Sequence, residues 1–291
     1  MPMFSNNLTS QRSRHCPKLF SFSRLANKAV AGSHWRSWLF AAGLAVSLST
    51  NLIPTIAQEQ TPGNAPAQLT TLLEQVDAAA NGRNAKNVSE FYSPTFSHSD
   101  GLTRQQLQDA LSTLWKEYPN MTYRTELKSW KQEANAIVAT TVTHVTGTKK
   151  EGDREFKLSS KLESVQRVEN QKIVRQDVVN ETSEITSGAN PPTLKINLPE
   201  QVRGGQEFSF DAIVQEPLGD DLLLGAALEE TIKPEGFLNP TTVDLEPLNS
   251  GGIFKVGRAP MNNEQHWLSA VVVRHDGITM VTQRLKIIGR K

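Results

Sequence analysis

From about residue 121 to residue 185 the Thr, Val, Leu and aromatic residues of this chain recur at every second position, in four long segments at 121–131, 135–147, 154–168 and 172–185. A period of two sustained over that length commits a chain to strands with one face buried. Glu133-Ala134-Asn135, the charged stretch Gly147 to Asp153, and Glu169-Asn170-Gln171 separate the segments, so consecutive strands are expected to pair antiparallel. Ahead of them the period is helical. Leu69, Leu72, Leu73, Val76 and Ala80 predict a helix over 68–80, stopped by Asn81-Gly82. A short helix over about 85–92 ends before Pro94, and a third starts at Thr103 as N-cap and closes at Tyr118-Pro119. Three helices followed by a curved antiparallel sheet make an α+β pattern, with the sheet wrapped around the helices.

Ser187-Gly188-Ala189-Asn190-Pro191-Pro192 reads as a linker, stiffened by proline and loosened by glycine. Beyond it, candidate strands at 193–198, 206–215, 221–230, 242–247, 252–257, 266–275 and 278–288 predict an all-β sandwich. Asp276-Gly277 is the two-residue turn of the last hairpin, between the Leu268-Ala270-Val272 and Met280-Thr282-Arg284 alternations. Closure of this sandwich is expected from Phe208, Phe210, Ile213, Leu222, Leu224, Phe254, Trp267, Val271 and Val273, with Trp267 buried against the opposite sheet.

The first 57 residues contain six Lys/Arg and no Asp or Glu, and end in an apolar run from Trp38 to Leu48 followed by Thr55-Ile56-Ala57. That is the form of a signal peptide with an extended basic n-region, and cleavage is expected before Gln58. The alternatives are an uncleaved anchor in the inner membrane and a transit peptide leading to an organelle lumen. Cleavage removes six of the 31 Lys/Arg and none of the 30 Asp/Glu, so the mature body is acidic by about five charges. A mildly acidic body does not attract nucleic acid or anionic lipid at long range. The single cysteine, Cys16, lies in the leader, which excludes disulfides, thiolate metal sites and cysteine nucleophiles from the mature chain.

The order helix, helix, short strand Phe96 to His98, helix, four long strands resembles the NTF2-like superfamily, in particular its SnoaL-like branch. The segment Phe91-Tyr92-Ser93-Pro94-Thr95-Phe96-Ser97-His98-Ser99-Asp100-Gly101 carries the likeness locally, and the whole spans about residues 66–186. The resemblance implies a cone with a pocket between the helices and the concave face of the sheet. Members use that pocket as isomerases, cyclases, dehydratases or plain binding modules, and many dimerise through the outer sheet face. It also implies a role for Asp100, which lies eight residues beyond Tyr92 in a position similar to the base of ketosteroid isomerases. Proton abstraction beside a carbonyl needs such a carboxylate in apolar surroundings with a raised pKa, and a donor such as Tyr92 to steady the enolate. His98 would correspond to the histidine of SnoaL-like cyclases. The competing reading makes Ser99-Asp100-Gly101 turn chemistry and His98 a satisfied structural residue. Trp115, Tyr118, Tyr123 and Trp130 line the pocket if they face inward and are core if they do not, and His144 falls on either face of its strand.

Residues 193–291 resemble the immunoglobulin-like sandwiches appended to bacterial exported proteins, with Pro199 to Gln206 leading into the second strand and no cysteine pair. The expected fold is thus an α+β NTF2-like cone followed by an all-β immunoglobulin-like sandwich. The expected layout is leader 1–57, flexible lead-in 58–67, NTF2-like domain 68–186, linker 187–192 and sandwich 193–291. The sequence contains no HExxH, calcium loop, G-x-S-x-G, G-x-G-x-x-G or phosphate loop, so no cofactor and no metal are expected. Two kinds of function stay open. One is an exported, periplasmic or secreted, binding or scaffold protein, with a pocket for a small apolar ligand or a surface for an envelope protein or a second copy. The other is an isomerase or cyclase using Asp100 on a hydrophobic carbonyl compound.

Overall fold

The computed structural model describes residues 59–217, 219, 221–237, 243–248 and 251–289. The leader and its cleavage site before Gln58 lie outside these residues. Three helices open the described chain: α1 (Ala67–Asn81), α2 (Ala85–Glu90) and α3 (Arg104–Glu117). Asn84 caps α2 by accepting from the backbone N–H of Asn87 at 3.0 Å. Thr103 caps α3 in a reciprocal box: its Oγ1 accepts from Gln106 N–H, and the Gln106 side chain accepts from Thr103 N–H. The apolar stripes, Leu69, Leu72, Leu73 and Ala80 on α1 and Ala110, Leu114 and Trp115 on α3, are buried. Among the described residues no helix is long and apolar enough to cross a membrane.

Around and after the helices come β1 (Tyr92–His98), β2 (Thr122–Glu133), β3 (Ala136–Glu151), β4 (Arg154–Glu169), β5 (Lys172–Gly188), β6 (Leu194–Asn197) and β7 (Gln201–Arg203). They are followed by β8 (Glu207–Val214), β9 (Leu224–Thr231), β10 (Glu246–Pro247), β11 (Gly252–Arg258), β12 (Glu264–Arg274) and β13 (Gly277–Ile288). Ten of these strands form one sheet, in the order β10-β9-β12-β13-β5-β4-β3-β2, with β1 on β5 and β7 on β13. β6, β8 and β11 form a separate three-stranded sheet.

This corrects the expected architecture of a cone followed by a self-contained immunoglobulin-like sandwich. The strands read from the sequence are nearly all present, but those of the two halves merge. β5 runs on to Gly188, pairing with β4 along one edge, while Thr182 to Gly188 pair with Gln283 to Gly277 of β13 along the other. The polar end of β5, Thr182-Ser183-Glu184-Ile185-Thr186-Ser187, reads as the close of a strand because it lacks an apolar face. Strands on both sides supply hydrogen bonds to its backbone, and the ladder continues regardless of side-chain polarity.

The chain after β5 is held rather than loose. Asn190 N–H donates to Asp276 O, Arg274 Nη2 donates to Asn190 O at 2.9 Å, and Thr279 Oγ1 donates to Pro192 O at 2.6 Å. Gly188 has φ +105°, and a side chain there would strike the Asp276 carbonyl. Gly188→Ala is therefore expected to lower stability by about 1–3 kcal/mol through backbone strain, read by urea titration. An unchanged midpoint would mean that the β5 to β13 junction is not under this constraint.

Two apolar cores lie on opposite faces of the large sheet. One joins the helices to β2–β5 and reaches Val271 on β12 and Met280 on β13. The other joins Phe208, Phe210 and Ile253 of the small sheet to Leu268, Ala270, Val272, Leu285 and Ile287. β12 is consequently buried on both faces. Trp267 is 2% exposed, but it faces Phe237 and Glu181 instead of the opposite sheet as expected. Leu222 and Phe254, expected in the sandwich core, are 71% and 54% exposed.

Candidate functional site

The edge of β5 explains where the site forms. Its early part carries β1 in parallel, ending at His98 opposite Gln176, and its late part carries β13, starting with Gln283 opposite Thr182. Between the two docked strands lie residues 177–181 of β5. The turn after β1, closed by Gly101 N–H to His98 O, presents Asp100 from one side of this gap, and the next residue of β13, Arg284, enters from the other. A bulge completes the arrangement. Glu163 faces Asn180 and Ser164 faces Val178, so Val179 is left without a partner across the ladder and Glu181 turns inward in phase with Ser183 and Ile185.

A cavity of about 170 Å³ lies between the helices and the sheet and ends at this junction. Leu73, Val76, Leu107, Leu111 and Leu114 form its helical wall, while Thr125, Thr143, Gln166 and Gln176 stand on the sheet side. Asp77 of α1 accepts from Thr125 N–H at 2.6 Å and from Thr125 Oγ1 at 2.7 Å, tying α1 to β2 beside the cavity that both residues border. At the junction are His98, Asp100, Glu181 and Arg284. An apolar chamber with a few convergent polar groups is the usual form of a small-molecule site.

All five guanidinium N–H groups of Arg284 are used. Nη1 donates to Asp100 Oδ1 at 2.9 Å and Gln265 Oε1 at 2.8 Å, Nη2 to Asp100 Oδ2 at 2.9 Å and Glu181 Oε2 at 2.8 Å, and Nε to Glu181 Oε2 at 3.2 Å. Trp267 Nε1 also donates to Glu181 Oε2, at 2.9 Å, and Ser99 Oγ donates to Asp100 Oδ1 at 3.0 Å. Burial pushes the Asp100 pKa up, but the hydrogen bonds and charge of Arg284 outweigh it and hold this carboxyl below the ordinary carboxylate range. The raised value that a general base requires is thus not what the site produces. His98 Nδ1 accepts from Asp100 N–H at 3.1 Å, which leaves its ring proton on Nε2. Burial lowers its pKa, against the pull of Asp100, and keeps the ring neutral. Burial, with the charge of Asp77, pushes Tyr92 up to about 12, and its hydroxyl makes a long 3.5 Å contact to Gln176 Oε1.

Of the residues singled out in the sequence, Tyr92, His98, Asp100 and Tyr123 line the cavity. Trp115, Tyr118 and Trp130 are buried in the core beside it and do not border it. Trp115 Nε1 donates to Tyr123 Oη at 2.8 Å and so orients the one aromatic ring of that group that does. His144 is half exposed, 3.7 Å from Glu126, away from the cavity. Glu181, Arg284, Gln166 and Gln176 were missed. Arg284 had a visible cue, since it stands in register with the apolar Met280 on a strand of period two. Among the described residues no group of three or more His, Cys, Asp or Glu side chains is placed to hold a metal ion.

A family model described as a domain of unknown function (DUF8623) matches residues 189–288. Comparison with curated proteins finds no match. Among solved structures, 38% of the chain is similar to Bd1075 of Bdellovibrio bacteriovorus, at 12% identity and a TM-score of 0.28, and spans 39% of that chain. A protein of Catenulispora acidiphila with a ketosteroid isomerase-like fold is similar over 39% of this chain and 85% of its own, at 14% identity and a TM-score of 0.28. An LEH-like epoxide hydrolase of M. tuberculosis is similar over 38% of this chain and 80% of its own, at 8% identity and a TM-score of 0.28.

Proposed function

We propose that this chain is an exported binding protein of the NTF2-like kind, periplasmic or secreted, whose cavity takes a small amphipathic molecule. The observation that carries this reading is the state of Asp100. A base must face the substrate's C–H bond without a tight counter-ion and have a pKa near the working pH. Both oxygens of Asp100 are instead engaged by Arg284, and its pKa is driven the opposite way. The chamber therefore supplies an apolar surface and fixed polar groups, which is what binding needs, without a poised acid–base pair. Export is inferred from the basic, acid-free leader ending in Thr55-Ile56-Ala57.

Native mass spectrometry of the protein purified from its own envelope tests both parts. The polypeptide mass is expected to begin at Gln58, and a small molecule is expected to stay bound until the protein is denatured. A mass that includes residues 1–57 would overturn cleavage. Recovery of the protein empty, with no rise in melting temperature when small aromatic or aliphatic compounds are added, would overturn the binding reading.

A further inference from the structure

We infer that the cavity selects molecules bearing a protonated amine, seated against the Glu181 carboxylate. This inference rests on the binding reading above and goes further by naming the ligand's chemistry. It follows from which polar atoms at the junction end of the chamber are already committed. Arg284 has no N–H left to donate, so an anionic ligand finds no guanidinium donor there. Both oxygens of Asp100 already accept from Arg284. Three hydrogen bonds converge on Glu181 Oε2, whereas Glu181 Oε1 has no hydrogen-bond partner among the described residues.

The charge balance points the same way. Two carboxylates and one guanidinium, with a neutral His98, leave one negative charge at the end of the chamber. Asp77 adds a further carboxylate to the lining, and no lysine borders it. An uncompensated negative charge beside apolar walls is unfavourable, and a ligand cation relieves it. Gln166 adds a further polar atom to the lining. It borders the chamber, is 6% exposed, and its Oε1 is a buried acceptor without a donor. An ammonium group offers several N–H donors to such acceptors, and a carboxylate or ether offers none. The volume sets the ligand's size. A cavity of about 150 Å³ holds a benzene molecule, so this one takes a single ring or an alkyl chain of similar bulk with a short arm to the amine.

Isothermal titration of the purified protein at pH 7 with phenethylamine, 2-phenylethanol and phenylacetate provides the test. The three share a ring and differ in the charge and donors of the head. The amine is expected to bind at least about tenfold tighter than the alcohol, as for a hydrogen bond to a charged group, and phenylacetate is expected not to bind. Equal binding of amine and alcohol, or tightest binding of phenylacetate, overturns the amine inference and leaves the binding reading standing. Silence from all three compounds overturns both. Glu181→Gln keeps an acceptor for Arg284 and removes the charge, and it is expected to bring the amine down to the affinity of the alcohol. Should that variant not fold, the ranking of the three compounds on the unaltered protein decides alone.

Discussion

Arg284→Met is expected to lower the free energy of unfolding by about 3–5 kcal/mol, because it leaves two buried carboxylates without their counter-ion. Asp100 and Glu181 have side chains 1% and 7% exposed, so bulk water is a poor replacement for the lost guanidinium. The loss should also carry a change in pH dependence. With Arg284 present, the folded-state pKa of Asp100 lies below its unfolded value. A depressed carboxylate contributes stability above its unfolded pKa, about 3.9, and that contribution is lost only as pH falls through the folded value. Without Arg284 burial dominates and raises the folded pKa, so folding takes up a proton and the variant should gain stability between pH 7 and pH 5. Urea titrations at those two pH values read both effects. A variant within 1 kcal/mol of the parent at pH 7, or one that weakens on acidification in this window, would show that Arg284 is not the counter-ion of a closed carboxylate pair. Asp100→Asn combined with Arg284→Met should recover part of the loss, since it removes one of the stranded charges.

The local elements of this fold were legible in the sequence, and their partnerships were not. The caps and apolar stripes of α1 and α3 and the period of two in β2 to β5 depend on neighbours within a few residues, which periodicity detects. The shared sheet depends on which edge of β5 is left open, a matter of backbone pairing between residues 182–188 and 277–283. Nothing in side-chain polarity records that. The site divides along the same line. Tyr92, His98 and Asp100 stand close together in sequence and were readable as a group. Glu181 was hidden by the bulge at Val179: counting by twos from the buried Val178 puts Asn180 inside and Glu181 outside, and the extra residue reverses this. Arg284 could be placed on a strand but not matched to Asp100, because their 184-residue separation is closed only by tertiary pairing.

The same junction fixes what Trp267 does. Trp267→Ala is expected to cost about 3–5 kcal/mol, the range for removing a buried tryptophan. The ring meets Phe237 edge to face, with centroids 5.1 Å apart and planes at 71°, while Nε1 donates to the Glu181 oxygen that also receives Arg284. Trp267→Phe keeps most of the apolar contact and deletes the donor, so it should cost about 1.5–3 kcal/mol, as for a hydrogen bond to a charged group. Because Trp267 and Arg284 share Glu181 Oε2, their substitutions should not be additive, and a double-mutant cycle of Trp267→Phe with Arg284→Met should return a coupling of about 0.5–3 kcal/mol. A tryptophan packed only against the small β6-β8-β11 sheet, as the sequence suggested, would destabilise equally when cut to alanine yet show no coupling to Arg284. The cycle therefore separates the two placements where the single substitution does not. A coupling near zero would remove Trp267 from the Glu181 cluster and, with it, the ground for saying that strands from both halves of the chain build this end of the cavity.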